Sequence, residues 1–169
     1  MGWEIDNHWP LDLDQCVMIA APHTSNWDFI VGKLFYSALD RDAGFLIKKD
    51  WFFFPFNLFF SWLGGVPVDR DKRTSVTDQM VEEFAKRDSF HLGITPEGTR
   101  KKVTEWKKGF YFIALKANVP IVLAYLDYGK KEAGVKAIFY PTGDFEKDIE
   151  TIRSYYKGVQ GKNAENFVE

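Results

Sequence analysis

The chain has 169 residues, the usual size of one domain and enough to bury a hydrophobic core. Its composition, 46% hydrophobic and 27% charged, excludes a disordered protein, and its net charge of −2 argues against nucleic acid as the main ligand. Cys16 is the single cysteine, which excludes an intrachain disulfide framework and fits a reducing compartment.

The N-terminal residues are acidic and lack the basic start and apolar core of a secretory signal, so a cytoplasmic protein is expected. Apolar runs then alternate with segments of helical periodicity. Strands are predicted at residues 16–21, 44–47, 90–95, 121–127 and 135–140, and helices at 27–39, 74–87, 110–118 and 144–157. This alternation predicts one α/β domain over residues 1–157, with a mostly parallel central sheet flanked by helices and a frayed tail at 158–169.

Residues 23–28 read HTSNWD and join the first long strand to the first helix. If Ser25 or Asn26 caps that helix, Asp28 lies in its first turn and the His23 ring can fold back onto the carboxylate. An aspartate bound to one ring nitrogen leaves the other free to accept a proton from a hydroxyl group. The alternative is that His23 and Asp28 only add a helix cap.

Residues 95–102 read TPEGTRKK and follow another apolar strand. Gly98 allows close approach of the backbone to a ligand, Thr99 offers a hydroxyl, and Arg100 can bind phosphate through two donors. Lys101 extends the positive field, and Lys48 could reach phosphate or lipid headgroups from the second strand. The alternative is a solvated charged turn.

The segment from Trp51 to Val68 has 18 uncharged residues, the lower limit of a membrane-spanning helix. Prolines and glycines interrupt it, so we expect a surface or pocket element that does not cross a membrane. Its aromatic residues predict an acyl-chain or membrane-surface patch flanked by basic residues, or else an ordinary buried helix. The predicted patch consists of Trp51, Phe52, Phe53, Phe54, Phe56, Phe59, Phe60 and Trp62.

Four blocks occur in order: HTSNWD at residues 23–28, GVPVDR at 65–70, PEGTR at 96–100 and VPIV at 119–122. Together they resemble the four ordered blocks of the glycerolipid acyltransferase family, which includes 1-acylglycerol-3-phosphate acyltransferases. The resemblance spans roughly residues 16–126, and the chain is most similar to the short bacterial branch of that family.

The resemblance implies a glycerol-phosphate acyltransferase-like fold. It implies transfer of a fatty acyl group from acyl-CoA or acyl carrier protein to the hydroxyl of a lysophospholipid-type acceptor. His23 would be the general base and Asp28 the residue that orients it. No metal or other cofactor would be needed, and the enzyme would be peripheral on the cytoplasmic face of the membrane. The residues implied to hold the acceptor phosphate are Arg70, Glu97, Gly98, Thr99 and Arg100.

Two other functions share some of these features. A non-catalytic lipid- or membrane-binding module would use the aromatic and basic residues without needing His23 or Asp28. A lipid-acyl hydrolase would use the same base but with water in place of the acceptor. The arginine of the PEGTR block favours a phosphate-bearing acceptor over water.

Overall fold

A computed structural model describes residues 2–5, 12–39, 41–69 and 75–168. Its strands are β1 (Glu4–Ile5), β2 (Gln15–Ala21), β3 (Gly44–Lys48), β4 (Gly65–Val68), β5 (Phe90–Ile94), β6 (Ile121–Asp127) and β7 (Glu132–Phe139). Its α-helices are α1 (Trp27–Ala38), α2 (Phe56–Trp62), α3 (Val76–Ala85), α4 (Gly109–Ala117) and α5 (Phe145–Ser154). Short 3₁₀ turns lie at Lys49–Trp51 and Ala164–Asn166.

The strands form one sheet in the order β1-β7-β6-β2-β5-β3-β4. The five strands from β6 to β4 in that order are parallel, whereas β7 pairs antiparallel with β6 and β1 pairs parallel with β7. The predicted α/β fold with a mostly parallel sheet and flanking helices is therefore confirmed.

The central strands are apolar because helices cover the sheet. All seven residues of β6 are buried, as expected for a strand enclosed on both faces. In β2, Ile19 lies opposite Leu123 of β6 and Ile94 of β5, so the core runs across these three strands. On α3, the predicted helical spacing places Met80 and Phe84 in the core.

Prolines and glycines interrupt the aromatic run, which forms a 3₁₀ turn and a seven-residue helix, α2. The C-terminal segment differs from the sequence-based expectation. The residues after α5 pack on the domain instead of fraying: Val159 is buried, and the Asn163 backbone N–H donates to the Thr24 hydroxyl. Within the described part of the chain, no helix has both the length and the apolar character needed to cross a bilayer.

The topology brings three loops together. Because β5, β2 and β6 are parallel neighbours, the residues that follow Ile94, Ala21 and Asp127 all emerge at the same edge of the sheet. In α/β folds, ligands bind at this carboxyl edge. The HTSNWD loop lies in the middle of the three, with the PEGTR loop on one side and Tyr128 on the other.

Candidate active site

The loop between β2 and α1 is organised by Asp28. This residue lies in the first turn of α1, and its Oδ2 atom accepts hydrogen bonds of 2.8 Å from the backbone N–H groups of both Thr24 and Ser25. Asn26 is the N-cap but forms no side-chain capping bond. The carboxylate therefore folds back over the loop and satisfies backbone donors that would otherwise be buried without a partner.

The same carboxylate meets the His23 ring. Nδ1 of His23 lies 3.2 Å from Oδ2 of Asp28, at an angle poorer than that of a linear hydrogen bond. Such contacts commonly tighten when substrate binds. The His23 side chain is 17% exposed and that of Asp28 is 6% exposed, so the imidazole reaches the surface while the carboxylate does not. The structure thus brings together the two predicted catalytic residues. Asp28 also binds backbone N–H groups just before α1, as the alternative interpretation of the motif as a helix cap expected.

Asp28 is held in its ionised form. Burial by itself would raise the pKa of this carboxyl group. The close contact with the His23 ring, the hydrogen bond from the Tyr128 hydroxyl and those from the N–H groups of Ser25 and Thr24 outweigh burial and lower the pKa below its ordinary value. A carboxylate that remains negative near neutral pH can fix the tautomer of the adjacent imidazole.

Glu97 has a different position from the one predicted. It is 5% exposed, and its Oε1 accepts the His23 backbone N–H at 2.9 Å. Its Oε2 is buried and has no hydrogen-bond partner among the described residues. Burial raises the pKa of Glu97, an effect only partly offset by the N–H groups of His23 and of Glu97 itself. Glu97 therefore binds the backbone of the His23 loop. An ionised carboxylate has no proton that it could donate to a phosphate group.

The rest of the PEGTR block lies closer to solvent. Gly98 has φ +63°, and a Cβ there would lie 2.6 Å from Cε of Lys107, so the position requires glycine. Arg100 is exposed, and its guanidinium donates to the Asn26 side-chain oxygen, which links the block to the HTSNWD loop. The Thr99 hydroxyl accepts the Lys101 N–H at 3.3 Å.

His23 and Asp28 line a cavity of about 900 Å³. Its walls include apolar residues of β2, α1, β3 and β5, and its polar residues include Arg100 and Lys107 near the pair. A cavity of this size fits a substrate with a long apolar part and a charged group. Arg100 and Lys107 add two positive charges to the cavity lining, which favour an anionic ligand.

Other predicted site residues lie apart from this cavity. Lys48 forms an ion pair with Asp50, and Lys101 is exposed; neither residue lines the cavity. Arg70 falls outside the described residues. Of the predicted aromatic patch, Phe52 and Phe60 are half-buried against each other, with ring centroids 5.9 Å apart. Its other members are exposed, from 48% at Phe56 to 80% at Trp62.

Three contributions were missing from the sequence-based prediction. The Tyr128 hydroxyl donates to Oδ1 of Asp28 at 2.8 Å. The buried Thr24 binds the C-terminal segment through Asn163, and the aliphatic chain of Lys107 packs over Gly98. Tyr128 directly follows an apolar strand, which is the one sequence signal that could have marked it.

The His23–Asp28 pair lies at the carboxyl edge of a mostly parallel sheet, where α/β folds bind their ligands, and lines a cavity that Arg100 and Lys107 also line. The acyltransferase family model matches residues 6–126. The chain therefore belongs to the acyltransferase family.

The fold also resembles a solved structure, that of the 1-acyl-sn-glycerophosphate (LPA) acyltransferase PlsC from Thermotoga maritima. The similarity has a TM-score of 0.61 at 20% sequence identity and covers 92% of this chain and 68% of that one. At this identity the similarity establishes a common fold. No curated protein matches the sequence.

Proposed function

We propose that this acyltransferase moves a fatty acyl group from a thioester, acyl-CoA or acyl carrier protein, to the hydroxyl of a lysophospholipid-type acceptor resembling 1-acylglycerol-3-phosphate. His23 is the general base and Asp28 orients it. The observation that carries the proposal is the 3.2 Å contact between His23 Nδ1 and Asp28 Oδ2 at the wall of the large apolar cavity.

The chemistry follows from this contact. With Nδ1 turned toward Asp28, Nε2 of His23 is the nitrogen left to accept the proton of the acceptor hydroxyl. The resulting oxygen nucleophile attacks the thioester carbonyl and forms a tetrahedral oxyanion. Collapse of the oxyanion breaks the carbon–sulfur bond, and the imidazolium returns the proton to the departing thiolate. Asp28 stabilises the transient imidazolium, as the aspartate does in a serine-protease triad.

Two basic residues of the cavity lining support an acceptor that carries phosphate. Arg100 presents a planar guanidinium at the surface, and Lys107 lies beside the PEGTR turn. Arginine binds phosphate oxygens through paired donors. The apolar walls between α1 and the sheet are suited to the fatty acyl chain. The similarity to PlsC, which is named as an LPA acyltransferase, agrees with this acceptor class.

A membrane surface is the expected location of the reaction, since both lipids reside there. Exposed aromatic residues on and before α2, including Phe54 and Trp62, can insert into the headgroup region, and Lys49 lies at the start of this segment. We place the enzyme peripherally on the cytoplasmic face and expect it to need no metal or other cofactor.

A thiol-release assay tests the reaction. Purified protein is given palmitoyl-CoA or palmitoyl-acyl carrier protein with lysophosphatidic acid, with monoacylglycerol, or with no acceptor. Release of thiol with lysophosphatidic acid, little with monoacylglycerol and none alone is expected. The His23→Ala variant is expected to lose about 10²–10⁴-fold in turnover, the usual contribution of a general base.

The other outcomes separate the alternatives. Equal release without acceptor would identify a hydrolase, and binding of acyl-CoA and vesicles without release would identify a lipid-binding module. Because the His23 side chain is near the surface, His23→Ala should keep the wild-type melting temperature. A folded His23→Ala protein that retains wild-type turnover would exclude His23 as the base.

A further inference from the structure

Asp28 has a partner on the side away from the histidine. Its Oδ2 atom faces His23, Thr24 and Ser25, whereas its Oδ1 atom accepts the Tyr128 hydroxyl at 2.8 Å. Tyr128 is the first residue after β6, the strand next to β2, so its side chain is delivered to the same sheet edge. It does not line the cavity and therefore acts on the site only through Asp28.

Tyr128 is itself fixed in place from two directions. Its ring packs edge-to-face on Trp3 at a centroid separation of 4.9 Å, and Trp3 in turn packs on Phe35 of α1. Its backbone N–H donates to the carbonyl of Gln160 at 2.8 Å. Ring packing and the backbone hydrogen bond together fix the position of the Tyr128 hydroxyl. Its hydrogen bond to Oδ1 then sets the rotation of the Asp28 carboxylate.

The C-terminal segment that binds Tyr128 also binds the histidine loop. The backbone N–H of Asn163 donates to the Thr24 hydroxyl at 3.1 Å, and its side-chain amide donates to the Thr24 carbonyl at 2.8 Å. At Gly161, a Cβ would lie 2.8 Å from the Thr24 hydroxyl oxygen, so only glycine allows this approach. Gln160 and Asn163 thus join Tyr128 and Thr24 into one support.

Most of this support lies outside the residues that the family model matches. The family match ends at residue 126, so it includes His23 and Asp28 but neither Tyr128 nor the C-terminal segment. The Tyr128 bond is among those that lower the pKa of Asp28 despite burial. The same contact, together with burial, raises the pKa of Tyr128, so its hydroxyl keeps the proton that it donates.

We infer that Tyr128 is a positioning residue for catalysis: it holds the Asp28 carboxylate in the rotation that faces His23, and the segment at residues 160–163 holds Tyr128 and Thr24 in place. The inference rests on the proposed function of the His23–Asp28 pair. It adds a third polar side chain to that pair, on the far side of the aspartate from the imidazole.

Tyr128→Phe removes only the hydroxyl and tests the inference directly. Loss of one hydrogen bond to a charged group should lower kcat by about 10-fold with little change in KM for either substrate. The chain offers a matched control, Tyr111→Phe. Tyr111 also donates a hydrogen bond from its hydroxyl to a buried aspartate, Asp148, at 2.7 Å. Tyr111 lies in α4 and Asp148 in α5, so neither belongs to the His23 loop. The control should lose stability and keep kcat.

A double-variant cycle shows whether Tyr128 acts through Asp28. In an Asp28→Asn background, Tyr128→Phe should cause no further loss of kcat, because the carboxylate that it positions is gone. Equal fold losses in both backgrounds would contradict the inference. So would a Tyr128→Phe enzyme with the kcat of the wild type.

A spectroscopic readout separates this inference from the proposed function. The ring N–H proton of His23, assigned by its absence in His23→Ala, is observed by NMR in each protein. Tyr128→Phe should shift this resonance and Tyr111→Phe should not, whether or not acyl transfer occurs. If His23→Ala is inactive while Tyr128→Phe changes neither kcat nor the resonance, the positioning role fails and the His23 mechanism stands. If wild-type protein has no transferase activity but the resonance shifts, only the proposed reaction fails.

Discussion

Two buried carboxylates flank the His23 loop, and their pKa values move in opposite directions. Asp28 receives hydrogen bonds on both oxygens, so its pKa is lowered although burial opposes this. Glu97 has one acceptor oxygen in use and the other buried without a partner among the described residues, so burial dominates and its pKa is raised. The number of donors decides the direction in which each pKa moves.

The raised pKa of Glu97 predicts a pH-dependent stability. Below the ordinary pKa of a glutamate, the Glu97 carboxyl group is protonated in both the folded and the unfolded state, so its burial does not require desolvation of a charge. As the pH rises through the higher folded-state pKa, the folded protein must take up a buried charge, and stability falls. Glu97→Gln removes this titration. The unfolding free energy of the variant should therefore improve relative to wild type as the pH rises from below the ordinary pKa of a glutamate to above it, as measured by urea titration.

Glu105→Gln provides the control for this experiment, because it removes the same charge from an exposed position on the loop between β5 and α4. A pH-dependent difference as large for Glu105→Gln as for Glu97→Gln would assign the effect to net charge instead of burial.

At this scale the sequence is informative about chemistry but not about burial. The HTSNWD spacing predicted that His23 and Asp28 meet, because a loop and one helical turn bring them within reach. The role of Glu97 could not be predicted: its contact with the His23 backbone spans 74 positions and depends on β2 and β5 being neighbours.

Helix α1 contributes to the candidate site at two places. Its first turn holds Asp28, and further along the same helix Gly32 and Lys33 line the cavity. A Cβ at Gly32 would meet no other atom within 4 Å, so this position faces open space. We expect that the acyl chain occupies this part of the cavity and that the absence of a side chain at Gly32 makes room for it.

Gly32→Phe should fill that space. Replacement of glycine within a helix does not reduce helix propensity, so the fold should be retained. Transfer from palmitoyl-CoA should fall by about 10-fold or more, whereas transfer from octanoyl-CoA should be much less affected. The measurement is kcat/KM for both donors.

Gly32→Ser at the same position is the matched control, since it adds a small side chain that leaves most of the cavity open. It should preserve the wild-type ratio of the two donors. An equal loss for both donors in Gly32→Phe would place the acyl chain elsewhere.

Elements with one dominant pattern were predicted well, because the pattern reflects a single environment. The apolar run 121–127 became the buried β6, and the periodic segment at 74–87 became α3. The aromatic run had no such pattern: its residues are apolar on every side, and its short helix exposes most of them. Sequence cannot distinguish a core from a membrane surface when both favour the same side chains.

The whole molecule places its chemistry at one edge of the sheet. The order of the strands cannot be read from the sequence, and this order is what sets the HTSNWD loop between the PEGTR loop and Tyr128. The packing of the C-terminal segment could not be predicted from the sequence either. Its position at the chain terminus predicted fraying, whereas its contacts with Thr24 depend on the path of the chain after α5.

Exposed apolar side chains also extend beyond the aromatic segment. Along α1, Trp27, Ile30 and Leu34 are 44–52% exposed and recur at helical spacing, so they form a second apolar surface on the helix that carries Asp28. Ile30 also lines the cavity that His23 lines, so this second surface adjoins the cavity.

Vesicle flotation tests whether the aromatic segment binds membranes. Phe54 and Trp62 are 79% and 80% exposed, so their replacement by serine removes little packing within the protein. Each replacement should weaken binding to anionic phospholipid vesicles by about 10-fold, the value expected for one aromatic side chain moving from lipid to water. Tyr140→Ser is the control, because Tyr140 is 66% exposed just after β7, outside the aromatic segment. If the aromatic segment forms the binding surface, Tyr140→Ser should bind vesicles as the wild type does. Equal weakening by all three replacements would instead show nonspecific adsorption.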